Sequence, residues 1–294
     1  MNDKKLNSPN INMKIKLATL LLTFTSLTCA EQFQAPITDT QWIVTESPLE
    51  CRMTQQIARY GNAQFSQLPG EEFSLSFTSH LYPSKQTAVF FEIDQAPWKH
   101  DKKRLPLASI QVKKNQQIFK ITGEQAKQAF TYIKEGMFPA IRYQSLNSTE
   151  EISVLLSTIH FRDSNLSFTQ CVDHLFPYTF EQMRKLTVYF NSEQAELDDE
   201  AKKALKKLAD YVEADKSIKH ITVSGHTDNH GRKRLNIPLS AARAANVKKY
   251  LVENCELDEN MITTSFHREF IAAKSNKTSA GRTHNRRAEI ELIR

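Results

Sequence analysis

The chain has 294 residues, 40% of them hydrophobic and 24% charged, with a formal net charge of +6. Four lysines against Asp3 in the first thirty residues account for +3 of that, and the remaining +3 is too mild to argue for a nucleic-acid partner. The length suits two domains, each long enough to build its own core.

The N-terminus reads as a leader. Lys14 and Lys16 precede an apolar run from Leu17 to Leu27, and Thr28-Cys29-Ala30 supplies small residues after it. Residues 1–30 are therefore expected to be a secretory signal peptide cut near Ala30. The run falls short of the ~20 apolar residues a membrane span needs, which weighs against a retained transmembrane segment. A lipoprotein signal around Cys29 is the other alternative, and Ser26 and Thr28 fit it poorly. Export leaves Cys51, Cys171 and Cys255, and an oxidising compartment favours one disulfide and one leftover thiol. Cys51 and Cys171 bracket the N-terminal half and are expected to pair.

Residues 31–176 alternate with period two. "FSLSFTSHL", "TAVFFEI", "LASIQVK", "QIFKI", "FPAIRYQ" and "EISVLLSTIHF" read as short strands. One interruption, "TGEQAKQAFTYIKEG", reads as a helix with Thr122 as N-cap and Gly136 as stop. His80, His100 and His160 are scattered, and no catalytic constellation or cofactor motif stands out.

Residues 177–294 change pattern. "LTVYF" is strand-like, and "DDEAKKALKKLADYVEAD" carries Ala201, Leu205, Leu208 and Val212 on one helical stripe. "KHITVSG" is a strand. Ser240 is placed to cap a helix through "AARAANVKKYLVEN", with Ala244, Val247 and Leu251 inward. "MITTSF" is a strand, "TSAGRTHNRR" a short helix and "AEIELI" the last strand. The expected class is α+β: a mostly-β N-terminal domain followed by a βαβαβαβ two-layer sandwich.

"GHTDNHG" joins the second of these strands to the next helix. Its alternating His226, Asp228 and His230 suggest a metal, but structural zinc needs a fourth ligand and the cysteines are remote in sequence. A hydrolase would need a nucleophile and base together, and Ser224 with His226 lacks a third partner. With Asp228 in the loop and Arg243 in the helix that follows, a carboxylate can face a guanidinium across a small cleft. That pairing suits a zwitterion, ammonium to Asp228 and carboxylate to Arg243.

The runs "TVYFNSEQAEL", "GHTDNHG", "RLNIPLSAARAANV" and "SNKTSAGRTHNRRAEIEL" resemble the OmpA-like peptidoglycan-binding domain. The resemblance implies that Asp228 and Arg243 hold the diaminopimelate side chain of a wall peptide. It also implies that Asn236, Leu239 and Thr227 shape the loop, that Arg287 contributes, and that Asn285 and Arg286 hold the fold. A glycine pair and a proline usual in the family are missing from "SFHREFIAAKS", which alters one expected cleft wall.

"ESPLECRMTQQIARYGNAQF", "MFPAIRYQ" and "SFTQCVDHLFPYTFE" resemble the N-terminal domain of the MotY family of flagellar motor proteins. That resemblance implies a disulfide at Cys51 and Cys171 and a periplasmic ring around the flagellar basal body. It further implies a MotX-like partner and a role in holding stator complexes. The alternative is another OmpA-like envelope protein tethering the outer membrane to the wall. A stator subunit would need an acidic residue in its membrane segment, which Leu17 to Ala30 lacks, and a porin would need long barrel strands.

Overall fold

The computed structural model describes residues 31–83, 88–96, 99, 103–113, 115–146, 151–230, 233–268 and 271–294. The leader expected at residues 1–30 lies outside them, as do Gly231 and Arg232. No described helix is long and apolar enough to cross a membrane.

The alternating runs of the first half form β1 (Glu31–Gln34), β2 (Trp42–Ser47), β3 (Glu50–Ile57), β4 (Gly61–Gln67), β5 (Ser74–Ser79), β6 (Ala88–Asp94), β7 (Leu105–Gln111) and β8 (Ile118–Thr122). After them come α1 (Glu124–Lys134), β9 (Phe138–Gln144), β10 (Glu151–Leu155) and α2 (Phe161–Asp173). The strands make two five-stranded sheets, ordered β2-β3-β4-β5-β8 and β1-β10-β9-β6-β7. Period-two patterning sends one side of each strand inward: Cys51, Met53 and Ile57 from β3, and Val89, Phe91 and Ile93 from β6, are all buried. Between the sheets and α2, Trp42, Phe65, Phe130 and Phe161 meet edge to face or stacked at centroid distances of 5.1–6.2 Å.

Gln55 lies in the inward row of β3 and is fully buried. Its amide oxygen accepts from Ser157 N at 2.8 Å and its amide nitrogen donates to Ser157 O at 3.1 Å. Trp42 Nε1 donates to the same carbonyl at 3.0 Å. A buried amide is tolerated because it is fully engaged, and it pins the segment that leads from β10 into α2.

Two expectations fail here. Thr122 ends β8 and donates its hydroxyl to Glu72, so α1 starts instead from Gly123 in a left-handed backbone conformation with no side-chain cap. The run "EISVLLSTIHF" is a strand only to Leu155, and Phe161 opens a helix. α2 shows no periodic stripe beyond Phe161, Phe168 and Cys171, and its serines, threonine and asparagine are weak helix formers. What holds it is tertiary: the aromatic cluster, and a disulfide from Cys171 to Cys51 on β3.

The second half contains α3 (Phe180–Met183), β11 (Lys185–Tyr189), α4 (Asp199–Ala214), β12 (His220–His226), α5 (Lys233–Glu253), β13 (Ile262–Arg268), α6 (Ser279–Asn285) and β14 (Arg287–Ile293). From β11 onward the order is the βαβαβαβ alternation, folded into one sheet β11-β14-β12-β13. Leu205, Leu208 and Val212 of α4 and Ala244, Val247 and Leu251 of α5 cover Ile221, Val223, Ile290 and Leu292 on one sheet face. α4 is capped by Asp198, whose carboxylate accepts from Ala201 N at 2.8 Å. α5 begins at Lys233, well before the expected Ser240. Ser240 sits inside the helix and donates to Asn236 O at 2.9 Å.

The two cores are separate clusters that touch at one seam. Phe176, Tyr178 and Leu49 pack onto the second core, and Phe176 N donates to Pro48 O at 2.7 Å. The β2–β3 turn of the first half thus lies directly on the start of the second.

The disulfide spans a separation of 120 residues. Replacing both cysteines by alanine should lower the unfolding free energy by up to about 5 kcal/mol in the chain-entropy model. Urea titration of the two proteins, followed by tryptophan fluorescence from Trp42, measures it. An unchanged midpoint would show that α2 holds without the bridge.

Candidate functional site

The candidate site forms where β12 runs out into its loop. The β12–β13 register shifts between Gly225 and His226, where β13 carries one extra residue, His267. Gly225 lies against α5, where a Cβ would run into the carbonyl of Ser240. That close approach requires glycine and brings the loop onto the helix. His226, Thr227, Asp228, Asn236 and Arg243 are all buried, Arg243 completely.

Arg243 is held by backbone. Its Nε donates to Gln194 O at 2.9 Å, Nη1 to His226 O at 2.7 Å and Nη2 to Asn191 O at 3.2 Å. The guanidinium carbon lies 5.1 Å from the Phe190 ring centroid. Burial pulls its pKa down to about 10, with Asp228 opposing the shift and Arg286 adding to it. It therefore stays charged at neutral pH. One side chain ties the β11–α4 connection to the end of β12, as a planar fork of donors is suited to do.

The guanidinium that reaches Asp228 is that of Arg286. Its Nη1 lies 3.0 Å from Asp228 Oδ2, its Nη2 donates to Thr283 Oγ1 at 2.9 Å and its Nε donates to Phe190 O at 3.2 Å. Asp228 Oδ1 accepts from His230 N at 3.1 Å, and its carbonyl accepts from Asn236 Nδ2 at 3.3 Å. The Asp228 and Arg286 side chains are 9% and 16% exposed, so the pair lies at the lip of the site. Thr227 Oγ1 is buried without a hydrogen-bond partner. Leu239 is half-buried and His230 exposed.

Arg287 turns away from Asp228. Its Nε donates to Glu289 at 2.7 Å and its Nη2 to Ile271 O at 3.1 Å, while Nη1 has no partner. Asn285 is fully buried and bonds Lys274 O and Asn276 Oδ1, each at 2.8 Å. Asn276 Oδ1 in turn accepts from Asn229 N at 3.3 Å, so the loop before α6 braces the Asp228 loop. Of the two adjacent arginines, sequence reasoning placed Arg287 in the site and Arg286 in the scaffold. Neighbouring residues point in opposite directions where a strand begins, so the "NRR" motif allows only one to face the loop. Nothing in the motif says which.

The His226 side chain points away from the site, and only its carbonyl takes part. Its ring stacks on His267 at 5.3 Å, and its Nε2 is 4.0 Å from Glu289. Burial first, then the charge on Arg287, pull its pKa down to about 4. Ser224 pairs with Ser265, Oγ to Oγ at 2.9 Å. Among the described residues no group of three or more histidine, cysteine, aspartate or glutamate side chains is placed to hold a metal ion.

Two family models match. The MotY N-terminal domain matches residues 33–177 and the OmpA family matches residues 189–286. The chain is 26% identical over 268 residues to the sodium-type flagellar protein MotY of Vibrio parahaemolyticus, covering 90% of this chain and 91% of that one. It is 36% identical over 105 residues to outer membrane protein A of Bordetella avium, covering 36% of this chain and 53% of that one. To motility protein B of Bacillus subtilis it is 32% identical over 113 residues, covering 37% and 43%. It thus spans nearly all of the Vibrio protein and about half or less of the other two.

The buried imidazole has a consequence for stability. Unfolded, His226 takes up a proton near pH 6.5; folded, it resists until about 4. Its neutral form therefore supports the fold fully above pH 6.5, and that support drains away as pH falls toward 4, by at most about 3 kcal/mol. Urea midpoints at pH 7 and 4.5 should differ less in His226→Gln than in the parent. Equal pH slopes in the two would mean the ring is not held neutral.

Proposed function

Because the chain joins a MotY N-terminal domain to an OmpA-family domain, we propose that it is a periplasmic flagellar motor component that binds peptidoglycan. In this role it helps to anchor stator units around the basal body, with a MotX-like protein as neighbour. The observation that carries the wall-binding part is the Asp228–Arg286 pair, an ion pair at the lip of a site otherwise held by backbone contacts.

A diaminopimelate side chain ends in an ammonium and a carboxylate. Its ammonium replaces Arg286 on Asp228, and the freed Arg286 meets the carboxylate, so charge stays balanced throughout. Arg243 keeps the three carbonyls in place and adds positive potential from below. Asn236 fixes the Asp228 backbone, Thr227 offers an unused hydroxyl, and Leu239 walls the approach. Arg287 acts from behind, through Ile271. An exchange of one ion pair for another gives modest affinity per site, which suits an anchor repeated around a ring, where weak contacts add by multivalency. This is a binding role and calls for no catalysis.

Asp228→Ala should reduce co-sedimentation with purified sacculi by about tenfold or more, since it removes one partner of a desolvated charge pair. Its circular dichroism should remain native. Sedimentation equal to the parent would overturn the assignment. In cells, a deletion strain should assemble filaments and fail to swim. Tagged protein spread evenly along the envelope, with swimming intact, would favour a general tether between outer membrane and wall.

A further inference from the structure

The N-terminal sandwich leaves one edge unfinished. Its four edge strands are β1, β2, β7 and β8. Three are blunted: β1 has only four residues and includes Glu31, β2 carries Glu46, and β8 carries Lys120. β7, "LPLASIQ", is seven residues long with no charge inside it. Pro106 and a bulge opposite Phe91–Glu92 protect its first half; Ala108 to Gln111 have neither device.

The core is also open along this edge. Ile110, Ala108 and Leu105 are in register with Val89, Phe91 and Ile93 of β6. Those three β6 residues are 0–1% exposed, yet Ala108 and Ile110 are half-buried and Leu105 is 37% exposed. At the edge of the other sheet, Phe119 and Ile121 of β8 are buried at 0% and 6%. Among the described residues no strand pairs with the outer side of β7, so it presents a backbone edge and the rim of a hydrophobic core together, which is what strand addition requires.

Charge selects the occupant. Lys99, Lys103 and Arg104 precede the strand, with Asp101 among them in sequence, and Lys113 follows it; Arg104 Nε lies 3.9 Å from Asp94 Oδ1. A second copy paired antiparallel about Ala108 would set Lys103 opposite Lys113, and like charges directly opposite are destabilising. We propose that β7 is a docking edge for an extended segment of a partner protein, apolar on alternate residues and acidic at its ends, which adds as a sixth strand. The surface is independent of the wall-binding site and does not rest on it.

The test uses the mature full-length chain and a short synthetic peptide of alternating valine and threonine with aspartates at both ends. A matched peptide with lysines at both ends is the control. Hydrogen exchange of the amides of residues 105–111 should slow by about tenfold or more with the acidic peptide and stay unchanged with the basic one. In Lys103→Glu/Lys113→Glu, a surface change that leaves the core intact, the preference for the acidic peptide should be lost. A preference kept in that variant, or, in the parent, equal protection by both peptides, protection by neither, or protection that rises with protein concentration alone, as a second copy would give, overturns the proposal. None of these readouts involves peptidoglycan, so the wall-binding reading stands or falls separately.

Discussion

A single buried guanidinium organises the C-terminal domain's working end. A charge so far from water is costly unless its donors are engaged, and Arg243 engages carbonyls from two separate connections. Moving either loop would leave a donor unsatisfied beneath the core. The β11–α4 connection and the end of β12 are thus fixed relative to α5. Asp228, two residues beyond one of those carbonyls, inherits that rigidity. The sheet provides the position, and Arg243 converts it into a fixed backbone from which a carboxylate projects.

Above that fixed backbone lies a second arginine. Arg286 contacts Asp228, Thr283 and the Phe190 carbonyl from a partly exposed position. Its pairing with Asp228 is a mostly desolvated contact at the lip, with side chains 16% and 9% exposed. The two arginines thus make different contacts. Arg243 is structural and electrostatic; Arg286 is the cation in direct contact with the acid. Asn285 and Asn276 support this arrangement by bracing the Asp228 loop from α6.

Much of this was legible in the sequence and the remainder has physical causes. The stripe Leu205, Leu208, Val212 and the β6 run declared their elements because burial and periodicity coincide there. α2 did not, since its stability comes from aromatic contacts and the Cys51–Cys171 bridge rather than from local propensity. α5 is longer than the sequence suggests because Ser240 looks like an N-cap. In the fold, Pro238 sits inside the helix and Ser240 bonds back to Asn236, so packing on β12 and β13 overrides that signal. The histidines of "GHTDNHG" alternate as metal ligands would, yet strand alternation puts His226 on the same sheet face as Ser224, against His267, while Asp228 lies beyond the strand at the lip. Arg286 against Arg287 was a question of direction, which identity alone does not encode.

The seam between the two halves is built from side chains that belong to the second core. Phe176 and Tyr178 lie where a flexible linker would otherwise run, and both are committed to the second core along with Leu49. Tyr178 also lies under the Lys207 ammonium at 3.7 Å, and Phe180 under the Arg294 guanidinium at 3.8 Å. Phe176 is further bonded to Pro48 in the turn that leads into β3, the strand bearing Cys51. The seam thus joins the second core to the turn before β3 through Phe176 and Pro48. The bridge from Cys51 on β3 to Cys171 on α2 continues that connection covalently, so the strand next to the seam is tied to a helix of its own domain as well as to its sheet neighbours.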